Sequence, residues 1–358
     1  MLTDYTQSLV SLISSIEAYF GLPPGHRTLG ALDELLDRKY KYIVLLLFAG
    51  LGISVLEKHL APDSFLRKHL VCPISSVFPP TTTAATTSVL TGRTPIEHGW
   101  LGWSLYFDKI DKRVNLYTNT SGGKPAAEYN VAGRFLPYET VIDKLGKLGV
   151  PAYFVSPYSE PKADGIESLF CEVSRLCARP EPKYIYGYSP LPDYDMHDHG
   201  TAHPLIHEHL KEIDARVEAL CGGLTDSLII VTADHGMTDT EFIFMDDYPE
   251  VKECILREPS IEGRAMSLFI KPEYKDEFPA RFNAAFGNIY ELIPHDEAMG
   301  LFGDGTPHPL SESFIGDFLA VAKSRISIGY EFDPDPFKAA HAGDTVDEVT
   351  IPLIAVRT

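Results

Sequence analysis

The sequence predicts a three-layer α/β fold, in which a mostly parallel central sheet carries helices on both faces. Short apolar runs recur between helical stretches, at Ile43 to Phe48, Ala152 to Val155, Tyr184 to Tyr188, Leu228 to Thr232 and Ile351 to Val356. Strands alternating with helices read as βαβ units and a parallel sheet. The first run, KYIVLLLFAGLG from Lys41 to Gly52, is a block of β-formers ending in a Gly-containing turn. A parallel strand delivers a functional group to the carboxyl edge of its sheet in this way. Yet Ala49, the residue at the delivery point, has no chemistry.

A chain of 358 residues is long enough for a large core, and we read 1–358 as one catalytic-size domain. Between Asp239 and Ala340 the pattern turns Pro-rich and mixed, in EGRAMSLFIKPEY and GLFGDGTPHPLSESFIGD, so a smaller subdomain inserted at about 240–340 is expected over the sheet edge. The opening segment MLTDYTQSLVSLISSIEAYF places apolar residues at helical spacing and carries Asp4 and Glu17. It reads as an amphipathic helix and not as a signal peptide. No apolar run approaches the ~20 residues that span a bilayer.

Lys plus Arg number 31 against 50 Asp plus Glu, a formal net charge of -19. A nucleic acid polymer would be repelled. A small phosphate ester remains a possible substrate if bound metal ions reverse the local field. Cys72, Cys171, Cys177, Cys221 and Cys254 are odd in number and contain no C-x-x-C pair, which suits reduced thiols in a cytoplasmic protein without a membrane partner.

Four segments place acids, His or Thr just after an expected strand. In VFPPTTTAATTSVLTGRTPIEHG, Thr82 falls where a loop turns into a helix running through Ser88 and Leu90. A helix N-terminus suits a phosphoryl group, although a Thr-rich cap is the more common meaning of such a segment. In YIYGYSPLPDYDMHDHG, Asp193 and His197 stand four apart, half of a zinc or manganese site if the backbone is helical. Asp195, Asp198 and His199 suit a polar surface loop equally well. In DSLIIVTADHGM an apolar strand ends in Asp234 and His235 followed by Gly236, a stronger sign of a ligand pair. In AAHAGDTVDEVTIPLI, His341 precedes the last strand. A lone His there is normally structural.

In order these segments read Thr-loop, D-x-x-x-H, strand-ADHG and H-x-G-D before a final strand. From about Tyr42 to Ile354 the chain thereby resembles the alkaline phosphatase superfamily, and within it the nucleotide pyrophosphatase/phosphodiesterase branch. The resemblance implies two divalent ions, most simply zinc. One would be held by Asp193, His197 and His341. The other would be held by Asp234, His235, the nucleophile Thr82 and a first-strand Asp whose place is taken by Ala49. No other acid lies between Asp37 and Glu57 to replace it, so the second site is expected to be weak or empty. Three explanations compete: an inactivated variant that traps a ligand, a natural form using fewer ligands, and a non-catalytic ligand-binding relative. The first is favoured because every other matched metal position is intact.

The implied chemistry is in-line displacement across ions roughly 4 Å apart. Thr82 is activated as an alkoxide and a covalent phosphoryl-Thr intermediate forms. In the branch an aromatic residue follows the nucleophile and an Asn stands five residues after the HG-motif His; here those places hold Thr83 and Trp103. The substrate is therefore a small phosphate ester, with nucleotides as one candidate. Trp100 and Trp103 could line its pocket, although packing is the commoner role of tryptophan. A phosphomonoesterase or a phosphonate hydrolase on the same core is the nearest alternative. A sulfatase is disfavoured because its nucleophile is a modified Cys or Ser.

Overall fold

The computed structural model describes residues 2–358. Its central sheet has six strands: β1 (Tyr42–Phe48), β2 (Leu70–Ser75), β3 (Ala152–Val155), β4 (Lys183–Ser189), β5 (Ser227–Thr232) and β6 (Thr350–Arg357), in the order β2-β6-β5-β1-β4-β3. All five expected strands are present, extended by a residue or two at most ends. Strand β1 lies between β4 and β5, parallel to both, and every one of its side chains is buried. Coverage on both faces is why it reads as an unbroken apolar run. Strand β6 departs from the parallel pattern: it runs antiparallel to β5 and β2.

The opening segment forms helix α1 (Leu9–Tyr19), but its face from Leu9 to Glu17 is entirely buried. Glu17 does not mark a wet side. It is buried and ion-paired to Lys144 at 2.8 Å, and it also accepts the Gly25 N–H at 3.0 Å. A buried charge persists when it is paired and hydrogen-bonded in this way.

A second sheet of eight strands lies apart from the first. It joins Tyr290–Pro294, Phe318–Ala322, Ala265–Leu268 and Ser260–Ile261 to Ser104–Phe107, Lys112–Asn115, Thr120–Ser121 and Lys124–Pro125. Half of this sheet therefore comes from residues 104–125, outside the expected 240–340 segment. These strands are two to four residues long and partly polar, too short for an alternating pattern to register. The two segments meet where Ile261 pairs with Ser104, and this seam brings Glu262 beside Trp103. Arg264 then ties the lobe to the short helix Val346–Val349, which leads into β6, through a buried two-pronged pair with Glu348, at 2.6 and 2.8 Å. No described helix is long and apolar enough to cross a membrane.

Candidate active site

Two of the chemistry-bearing segments follow the carboxyl ends of β4 and β5, and the turn after β1 lies between them. Just past β1, Ala49 accepts the Asp193 N–H at 3.0 Å, and Gly50 donates its N–H to Asp234 Oδ1 at 3.1 Å. The turn after β1 thus holds the backbone of one acid and the side chain of the other. Asp193 opens helix α3 (Asp193–His199), and His197 stands one turn on, with Nε2 3.5 Å from Asp193 Oδ1. Asp234 and His235 follow β5. A Cβ on Gly236 would fall 1.9 Å from the Asp347 carbonyl, so the tight turn behind the pair accepts only glycine.

His341 reaches the same edge for a different reason than parallel strands would provide. Because β6 runs the other way, it begins where its neighbours end, and the loop before it overhangs the site. Glu348 anchors that loop by accepting the Gly343 N–H at 2.7 Å and the Thr345 hydroxyl at 2.6 Å.

All three site imidazoles are fixed alike. Nδ1 of His197 lies 2.9 Å from the Ala339 carbonyl, Nδ1 of His235 2.8 Å from that of Gly236, and Nδ1 of His341 3.1 Å from that of Pro80. A carbonyl only accepts, so each Nδ1 carries the hydrogen. In the neutral ring Nε2 is then bare and turned inward, the usual arrangement behind a metal-binding imidazole.

The expected ligands converge, but around one common atom. Asp193 Oδ1 lies 3.5 Å from Nε2 of His197 and 3.9 Å from Nε2 of both His235 and His341. One atom each of Asp193, His235 and His341 falls within 4.8 Å of the other two, a grouping that crosses the two ligand sets expected from the sequence. Asp234 Oδ2 adds a second carboxylate oxygen 3.5 Å from His235 Nε2. Asp193 Oδ1 and Asp234 Oδ2 are both buried without a hydrogen-bond partner among the described residues. Bare buried carboxylate oxygens are costly, and facing imidazole nitrogens they form an O/N donor set that fits a divalent cation such as zinc.

The charges respond accordingly. Burial pushes the Asp234 carboxyl up and the nearby Asp193 adds to this, against the His235 charge. For His235 burial opposes the charged form, but Asp234 and Asp193 together hold the imidazole above its ordinary range. His341 is driven well below its range by burial and by the two neighbouring imidazoles.

Thr82 is the first residue of helix α2 (Thr82–Thr91), with Oγ1 3.2 Å from His235 Nε2. Ala49 is fully buried and brings no donor atom. Thr83 is also fully buried and its hydroxyl has no partner among the described residues. Trp103 instead lines a cavity of about 360 Å³ beside Thr86, one helical turn from Thr82, together with Tyr117, Tyr138, Tyr158 and Tyr186. Among the described residues no charged side chain lines this cavity, and the buried Tyr186 hydroxyl has no partner.

Sequence reasoning missed Glu262. Its Oε1 accepts the Thr81 hydroxyl at 2.5 Å and the Trp103 N–H at 2.9 Å, bridging the cap of α2 to the second lobe. Burial raises its carboxyl to about 7, against these bonds and the His235 charge. The one available signal was an acid and a base two apart, Glu262 and Arg264, in an otherwise small and apolar stretch.

The comparisons with known proteins concern the fold and the family. By fold the chain is similar to murine ectonucleotide pyrophosphatase/phosphodiesterase 5, with 17% identity, TM-score 0.67, and 90% of this chain and 88% of that one covered. The human form of that protein gives 17% identity, TM-score 0.67 and coverages of 89% and 87%. Phosphonoacetate hydrolase from Sinorhizobium meliloti 1021, solved with phosphonoformate, gives 17% identity, TM-score 0.68 and coverages of 88% and 89%. A search of curated proteins by sequence finds no match. The family profile described as type I phosphodiesterase / nucleotide pyrophosphatase matches residues 43–345, from the first sheet strand to the loop after His341, and the chain belongs to that family.

Proposed function

We propose that the chain is a metal-dependent phosphodiesterase or nucleotide pyrophosphatase type of hydrolase that works through a phosphoryl-Thr82 intermediate and is impaired by alanine at position 49. The observation that carries this reading is the approach of Thr82 Oγ1, at a helix N-terminus, to Nε2 of His235 at 3.2 Å. Two zinc ions, one at Asp193, His197 and His341 and one at Asp234, His235 and Thr82, would supply positive charge and lower the pKa of the nucleophile's hydroxyl. Thr82 Oγ1 gives up its proton to solvent and attacks phosphorus in line, and the ester oxygen opposite departs with the bonding electron pair and takes up a proton from water. Water then cleaves the phosphoryl-Thr ester and frees the hydroxyl. The N–H groups of the first turn of α2, which have no intrahelical acceptor, receive charge on the non-bridging oxygens.

The aromatic cavity beside Thr86 accepts the ester substituent, and its uncharged lining suits a flat ring such as an aryl group or a base. Phosphonate hydrolysis is the second reading, favoured by the fold shared with phosphonoacetate hydrolase. We read the chain as one catalytic domain in which the second lobe covers the site. With all five cysteines free, we place it in a reducing compartment.

The test compares the zinc-loaded chain, its Ala49→Asp form and Ala49→Asp/Thr82→Ala on aryl diester, aryl monoester and phosphonate substrates. Diester turnover by Ala49→Asp that vanishes with Thr82→Ala is expected. No turnover of any substrate by Ala49→Asp despite bound zinc would leave a ligand-binding protein.

A further inference from the structure

We infer that Glu262 is a specificity-determining residue that restricts the site to phosphoryl groups bearing a single negative charge, as in a diester, and disfavours the doubly charged monoester. The inference rests on the phosphoryl-transfer reading above. Glu262 follows the short strand Ser260–Ile261 and crosses from the second lobe to the residue that precedes the nucleophile. Two donors, the Thr81 hydroxyl and the Trp103 N–H, converge on Oε1. Oε2 has no protein partner among the described residues. The carboxylate is therefore pinned one residue from Thr82, and its charge acts on His235 and Asp193 in the ligand cluster.

Among the described residues no cation answers Glu262 from the adjoining cavity, whose lining is aromatic, aliphatic or hydroxyl-bearing. The nearest base in sequence, Arg264, is engaged by Glu348 and by the carbonyls of Ser324 and Ile326. A phosphoryl group on Thr82 thus meets histidines and acids that suit cations on one side and, near the cap of α2, a carboxylate held by two hydrogen bonds with no ion-paired cation among the described residues. A diester spreads one negative charge over two non-bridging oxygens, whereas a monoester places two charges on three. The additional charge is repelled by Glu262 in surroundings that screen less than bulk water.

Calorimetry at about pH 8.5, where phenyl phosphate is a dianion and Glu262 is ionised, tests the inference with zinc supplied. The ligands are phenyl phosphate, with two charges, and methyl phenyl phosphate, with one. Glu262→Gln keeps an oxygen to accept both hydrogen bonds and removes only the charge. It is expected to tighten phenyl phosphate about tenfold and methyl phenyl phosphate about threefold or less. Thr81→Val breaks one bond but keeps the charge, and is expected to preserve the parent's ratio of affinities. Glu262→Ala, checked for an intact thermal transition, is expected to shift the ratio in the same direction as Glu262→Gln. Equal tightening of both ligands, or none of phenyl phosphate, overturns the role of Glu262 while leaving the phosphoryl site standing. If neither ligand binds any form with zinc present, the phosphoryl-transfer reading falls and this inference with it.

Discussion

The rings of His235 and His341 lie stacked, with centroids 3.7 Å apart and planes 23° from parallel. Two imidazoles so close cannot both carry charge at low cost: the acids beside His235 favour its charged form, whereas burial and the neighbouring imidazoles disfavour that of His341. A cation between Asp193 and the two Nε2 atoms would relieve the frustration by leaving both rings neutral. His341→Ala removes a nitrogen donor and leaves the Pro80 carbonyl without its bond. Zinc retained after dialysis, measured by elemental mass spectrometry, should fall, with affinity reduced at least tenfold. Unchanged zinc content would remove His341 from the ligand set.

Ala49 makes an opposite pair of predictions with and without metal. It is fully buried between the backbone of Asp193 and the N–H that serves Asp234. Adding a third carboxylate there without a counter-ion should destabilise the apoprotein by roughly 1–3 kcal/mol. With zinc the same carboxylate completes the second donor set, so Ala49→Asp should gain a second bound ion and a larger thermal shift than the parent. Calorimetric melting of both forms in chelator and in zinc makes the comparison. A parent that already binds two zinc ions tightly would show that Ala49 costs the site nothing.

Legibility followed burial and local spacing. Strand β1 declared itself because both its faces are covered, and Asp193 with His197 because one helical turn separates them. Asp234 and His235 were readable from the strand before them and the glycine after. What depends on distant pairing was not. The reversed direction of β6 leaves no mark within its own residues, and Glu17 looks solvent-facing until Lys144 arrives from another element. The strands at 104–125 are too short to show a period. Glu262 acquires its place only when Ile261 pairs with Ser104.

The pair of Arg264 and Glu348 is expected to carry the coupling between the lobe and the loop of His341. Both side chains are buried, and Glu348 also holds Gly343 and Thr345. Arg264→Met or Glu348→Gln alone strands one charge in the interior, at a cost of about 3–5 kcal/mol in urea unfolding. The double variant Arg264→Met/Glu348→Gln should recover part of that loss, yet still bind zinc more weakly because His341 is less well anchored. Single variants as stable as the parent would show that water or other groups already satisfy the pair.

His98 sets an acid limit on stability. It is buried, with Nε2 3.0 Å from the Ser88 hydroxyl and Nδ1 accepting the Trp100 N–H at 3.1 Å. Since the Trp100 N–H can only donate, Nδ1 is bare, the hydrogen sits on Nε2 and the ring is neutral. Burial pushes the imidazole down to about 3. The unfolded chain takes up this proton near the ordinary value of about 6.5, while the native state resists until far lower pH. Between those values the unfolded state binds more protons, so the contribution of His98 is fully present above about pH 6.5 and is lost as the pH falls. The slope is about 1.4 kcal/mol per pH unit, or ~2 kcal/mol between pH 7 and pH 5. Glu262, raised to about 7 from 4.5, acts in the opposite sense over part of this range, because there the native state holds the extra proton. A difference measurement separates the two. The stability advantage of the parent over His98→Gln should shrink by ~2 kcal/mol from pH 7 to pH 5 in urea titrations, whereas a difference independent of pH would mean that His98 is protonated, or hydrated, in the folded chain.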